Sequence, residues 1–104
     1  MSEQHHSTFT IAADHPSLPG HFPGSPVVPG VVVLDFVLQA AAAWRQSPVH
    51  ATGLRQVKFH APLLPGECAD VSLELASETL AFRVSHGERL IAQGTFTLAR
   101  AAAP

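Results

Sequence analysis

Residues 31–44 read VVVLDFVLQAAAAW, apolar at every position except Asp35 and Gln39. A helix that is apolar all round is a buried helix. The segment therefore predicts a central helix, opened by Gly30 and Val31 and running to about Trp44 or Arg45. Pro48 follows as a stop signal. Beyond it the period changes from helical to two. Residues 54–60 place Val57 and Phe59 on one face, and residues 69–76 place Val71, Leu73 and Leu75 on one face. Residues 80–85 alternate Leu80, Phe82 and Val84 with Ala81, Arg83 and Ser85, and residues 89–100 continue the alternation. Pro65-Gly66 and His86-Gly87 read as turns. Residues 7–13 predict a first strand. The expected order is strand, long loop, helix and four antiparallel strands. One sheet can bury such a helix only by curling around it, so Asp35 is expected to be buried, with its pKa raised by burial.

Composition narrows the picture. The chain has 104 residues, 46% of them hydrophobic, which fits a single domain over residues 1–104. A core of this size is modest, and oligomerisation is a common remedy. Net charge is −2, and the six basic residues are scattered. That argues against a nucleic-acid footprint but leaves room for one small basic spot facing an acidic protein. Cys68 has no second cysteine to pair with. The seven histidines show no i, i+4 pair on the predicted helix, so no metal site is expected. His5, His6, His50 and His86 are expected to be solvated. The opening MSEQHHSTFT lacks the pattern of a signal peptide. The apolar run is broken too early to span a bilayer, which needs about 20 residues. A cytoplasmic protein without membrane contact is expected.

The candidate chemistry lies in residues 14–30, which hold five prolines and three glycines. Such density forbids helix and interrupts a strand ladder. His21 sits between Gly20 and Phe22, with Pro19 and Pro23 stiffening the backbone. A stiff loop that aims one imidazole suits a general base. The loop then enters a helix start at Pro29-Gly30, where free N–H groups can hold a developing oxyanion. Asp35 and Gln39 are i, i+4 and share a face. Base, acid and anion-stabilising helix start (His21, Asp35, Gly30 with Val31) suit proton abstraction next to a carbonyl. No metal or redox cofactor is required for proton transfer.

The stretch HPSLPGHFPGSPVVPGVVVLDFVLQAA, residues 15–41, resembles the signature of the hotdog-fold 3-hydroxyacyl-[acyl-carrier-protein] dehydratases of fatty acid synthesis. VKFHAPLLPGE, residues 57–67, resembles their next segment. The short chain with GHFPG, LD and VKFxAPLLPG looks most like the dehydratases of aryl-polyene and related pigment pathways. The resemblance implies an α+β hotdog fold, an antiparallel sheet wrapped around one long helix. It implies that His21 and Asp35 are the catalytic pair and that the Gly30 N–H holds the thioester carbonyl. It further implies that Gln39 orients the acid. Phe22, Pro29, Gly30, Val31 and Gln39 are the expected substrate-binding residues.

The resemblance also implies acyl carrier protein as the partner that delivers the substrate, with Arg55 and Lys58 as candidate docking residues despite their opposite parity. Two such units are expected to pair edge to edge as a homodimer or higher oligomer, or with a related hotdog subunit, so that His21 of one faces Asp35 of the other. The implied reaction is loss of water from a (3R)-hydroxyacyl thioester to give a trans-2-enoyl thioester. An acyl thioesterase and a non-catalytic hotdog subunit are the rival readings.

Overall fold

The computed structural model describes residues 3–11 and 28–99. The elements are β1 (Glu3–Thr10), α1 (Gly30–Arg45), β2 (Ala51–Phe59), β3 (Cys68–Leu75), β4 (Thr79–His86) and β5 (Arg89–Leu98). The five strands form one sheet in the order β1-β3-β4-β5-β2, antiparallel throughout. One helix against such a sheet is the α+β hotdog arrangement, as expected.

The core forms where the period-two faces of the central strands meet one stripe of the helix. Val33, Val37 and Ala41 are buried against Val71, Leu73, Leu80, Phe82, Val84 and Phe96. Burying a valine or leucine side chain contributes about 1.5–3 kcal/mol. Two ring stacks fasten β1 to the helix: Phe9 on Phe36 and His5 on Trp44, each with centroids 5.0 Å apart. His5 is thus a packing residue rather than a solvated one.

Two tight turns follow the sequence closely. Gly66 has φ +87 after Pro65, and the Glu67 N–H donates to the Leu64 carbonyl at 3.1 Å, which fits a type II turn. Gly87 has φ +60 between His86 and Arg89, which pair, as the first position of a primed two-residue hairpin requires.

Three expectations need correction. The first strand spans Glu3–Thr10 instead of 7–13. Its polar opening suits a sheet edge, where one side of the strand faces solvent. The second concerns Asp35. A single sheet covers one stripe, and the opposite stripe, Val31, Asp35, Gln39 and Ala43, is exposed in the single chain. Asp35 is therefore not buried, and no charged or polar residue is buried among those described.

The third correction concerns β2. Gln56 has φ 55 and sits in a bulge between Arg55, which pairs with Thr95, and Lys58, which pairs with Gln93. Thr95 and Gln93 share a face of β5, so the extra residue brings Arg55 and Lys58 to the same outer face. Gly94 makes the bulge possible, because a Cβ there would lie 2.7 Å from Val57 Cγ2.

Candidate active site

The helix start is built without a side-chain cap. Pro29 occupies the N-cap, and its carbonyl accepts from the N–H groups of Val32 at 3.0 Å and Val33 at 3.2 Å. The N–H groups of Gly30 and Val31 precede these first bonds, so the helix itself gives them no acceptor. Together with the helix dipole they form an anion-stabilising end.

Phe59, at the end of β2, lies over this start. A Cβ on Gly30 would fall 2.8 Å from the Phe59 ring, so a larger residue there would push the ring away from the helix start. Around them a cleft of about 520 Å³ opens, lined by Gly30, Val33, Phe59, His60, Leu63 and Ile91 among others, Pro29 included. Phe59 is 52% exposed, a large apolar ring half in solvent at the cleft edge.

Asp35 and Gln39 meet on the exposed stripe. Gln39 Nε2 donates to Asp35 Oδ2 at 2.7 Å, one helical turn away. The amide fixes one carboxylate oxygen. Val31 stands on the same stripe, 73% exposed. Asp35 and Gln39 do not line the cleft at Gly30. The chain thus brings Pro29 and Gly30 together at the cleft, and Val31, Asp35 and Gln39 together on the outer stripe. His21 and Phe22 lie outside the described residues.

A second cluster was not anticipated. Glu67, just after the Pro65-Gly66 turn, accepts from the Leu64 N–H through Oε1 at 2.9 Å and pairs with Arg89. His86 Nε2 stands 3.4 Å from Glu67 Oε2, and its Nδ1 lies 2.7 Å from the Cys68 carbonyl. The Leu64 N–H, first of all, holds the Glu67 carboxyl below its ordinary value of 4.5. Partial burial pushes the other way and is outweighed, with Arg89 and His86 adding to the downward pull. A carboxylate directly after a Pro-Gly turn is the only sequence signal that could have found it. Among these groups His86 is a bonded residue rather than a solvated one.

The family model described as "ApeI-like: ApeI dehydratase" matches residues 1–95. The 3-hydroxyacyl-[acyl-carrier-protein] dehydratase FabZ of Symbiobacterium thermophilum is 31% identical over 108 residues, covering 90% of this chain and 76% of that protein. FabZ of Desulforamulus reducens is 33% identical over 72 residues, covering 62% of this chain and 51% of that protein. The chain spans about half the length of several relatives it matches. Among solved structures, the dehydratase heterocomplex ApeI:P from Xenorhabdus doucetiae superimposes with a TM-score of 0.82 at 24% identity, covering 96% of this chain and 95% of that one. No helix among the described residues is long and apolar enough to cross a membrane. A glycine helix start under the Phe59 ring, an acid held by an amide one turn on, and the 1–95 match identify this chain as a member of the ApeI-like family of hotdog dehydratases.

Proposed function

We propose that the chain is a (3R)-hydroxyacyl-[acyl-carrier-protein] dehydratase. The observation that carries this reading is the Asp35 carboxylate, held by Gln39 at 2.7 Å on the open stripe of an otherwise apolar helix. An acid so placed is poorly explained by packing. In the proposed elimination, His21 takes a proton from C2 of the thioester. The Gly30 N–H stabilises the enolate-like oxygen. Asp35, protonated or through a water, returns a proton to the 3-hydroxyl, which leaves as water. The product is a trans-2-enoyl thioester. Phe22, Pro29 and Val31 form the wall along the substrate, and no cofactor takes part.

The partner reading follows from the same stripe. Val31, Asp35 and Gln39 face away from the chain's own sheet, and β2 is an edge strand among the described residues. A second hotdog unit, another copy or a related subunit, pairs along that edge, covers the stripe and brings its His21 to Asp35. The acidic carrier protein docks at Arg55 and Lys58, which the bulge sets on one face.

Two measurements test this. Purified protein is incubated with a carrier-bound 3-hydroxyacyl thioester, and enoyl product and free thiol are followed together. Wild type is expected to form the enoyl product. His21→Ala and Asp35→Asn are expected to lose on the order of 1000-fold or more in turnover, with unchanged circular dichroism. Near-wild-type turnover by either variant would remove that residue from the mechanism, and thiol release without enoyl product would mark a thioesterase. Sedimentation at micromolar concentration, alone and with a related hotdog subunit, is expected to show at least a dimer; a persistent 11 kDa monomer in both rules out the shared site.

A further inference from the structure

The Leu63–Glu67 turn holds two distant points of the chain at once. The Gly66 N–H donates to the Ile11 carbonyl at 2.8 Å, and the Val28 N–H donates to the Leu63 carbonyl at 2.8 Å. Ile11, Val28 and Leu63 are all buried. Ile11 and Val28 flank residues 12–27, the segment that carries His21 in the sequence. Val28 also stands two residues before Gly30. One turn therefore fixes both chain ends around the candidate base and the entry to the helix start.

That turn is closed from two sides by one residue. The Glu67 N–H donates to the Leu64 carbonyl, and the Glu67 carboxylate accepts from the Leu64 N–H. The carboxylate is then tied to the sheet by Arg89 at the start of β5 and by His86 at the end of β4. Its side chain is 20% exposed, partly shielded from solvent, where charge-assisted bonds are stronger than at a fully exposed site. The opposite end of the chain offers a contrast. Glu3 and Arg45 pair at 2.9 Å with the Glu3 side chain 61% exposed, and the Glu3 carboxylate closes no turn.

We propose that Glu67 is a positioning residue for the dehydration: by locking the 63–66 turn to Arg89 and His86 it holds Ile11 and Val28, the two residues that flank the stretch carrying His21 in the sequence, and with Val28 the Gly30 helix start. This rests on the dehydratase reading. The imidazole and the oxyanion donors must converge on one thioester, and a misplacement of about 1 Å costs on the order of 100-fold in rate.

The test uses the full chain, with its partner subunit if one is required. Glu67→Ala, Glu67→Gln and Glu3→Gln are compared by steady-state kinetics, circular dichroism, thermal melting and amide hydrogen exchange at Val28, Leu64 and Gly66. Glu67→Ala is expected to lower kcat roughly 100-fold while KM stays within about twofold. Glu67→Gln is expected to lie between, because its Oε1 still accepts from Leu64 while the pull of Arg89 and His86 is weakened. Exchange at Val28, Leu64 and Gly66 is expected to accelerate while the β3–β4 ladder stays protected. Glu3→Gln is expected to keep wild-type kcat. A lowered melting temperature with unchanged kcat, or with protection lost evenly across the sheet, would overturn the proposal and leave Glu67 a stabilising residue only. Should Glu67→Ala fail to fold, Glu67→Gln and Arg89→Gln carry the same readouts. If wild type forms no enoyl product, the dehydratase reading fails, and the exchange measurements still decide whether Glu67 holds the two chain ends.

Discussion

The two long stripes of α1 are made from similar residues and do different work. Val33, Val37 and Ala41 are sealed against the sheet, at most 2% exposed. Val31, Asp35 and Gln39 run parallel to them on the other side, with Val31 73% exposed. The first stripe is finished within one chain. Its contribution is hydrophobic burial and close packing. The second carries the candidate acid and its amide, and a single chain leaves it open. Apolar content alone did not distinguish them. What separates them is which side the sheet can reach.

This contrast is sharpest at its extremes. Replacing Asp35 by Glu keeps the charge but moves the carboxyl group outward by one methylene, away from the 2.7 Å bond to Gln39. We expect kcat to fall on the order of 100-fold, about 2.7 kcal/mol in the barrier, while thermal stability stays within experimental scatter. A fully active Asp35→Glu enzyme would mean that the carboxyl group acts through an intervening water and that its held position is irrelevant. On the sealed stripe the expectation is reversed. Val37→Ala removes two methyl groups from a fully buried site. It is expected to cost about 2 kcal/mol of folding stability, from lost transfer energy and the small cavity left behind. The activity of the folded fraction should barely change. Equal stability losses from Asp35→Glu and Val37→Ala in chemical denaturation would erase the distinction between the stripes.

Much of this architecture was legible in the sequence, and the misses have physical causes. The helix, from Gly30 to Arg45, is bounded by signals that act locally: a Pro-Gly entry and a proline beyond the exit. Strands β3 to β5 were legible because each has one buried face, which writes a period of two into the chain. Strand β1 is an edge strand with a polar start, so its first residues carry no such pattern. The bulge at Gln56 was hidden because it depends on Gly94, far along the chain and on another strand.

The candidate site was legible in part. The i, i+4 spacing of Asp35 and Gln39 translated directly into a bond. The exposure of Asp35 did not follow, since an all-apolar helix looks the same in sequence whether one sheet or two subunits cover it. The Glu67 cluster gathers groups from a turn and two strand ends, and no local spacing encodes that.

The bulge also sets how β2 can change over generations. Upstream of Gln56, Leu54 lies on the helix side of the sheet and Arg55 on the outer side; downstream, Phe59 lies on the helix side and Lys58 on the outer side. The chain thus changes phase at one residue, much as an inserted letter shifts the words after it. Removing Gln56 would restore one-to-one pairing with Gly94 and leave both side chains where they are. Flattening the bulge while keeping Gln56 would instead turn Lys58 toward the helix and swing Phe59 off Gly30 to the outer surface, reversing the two sides of the strand where the cleft is formed. Any side chain at position 94 would press for the same reversal from the neighbouring strand, by crowding Val57. Positions 56 and 94 are therefore expected to vary together across descendants of this sequence, as one inherited unit rather than two independent sites.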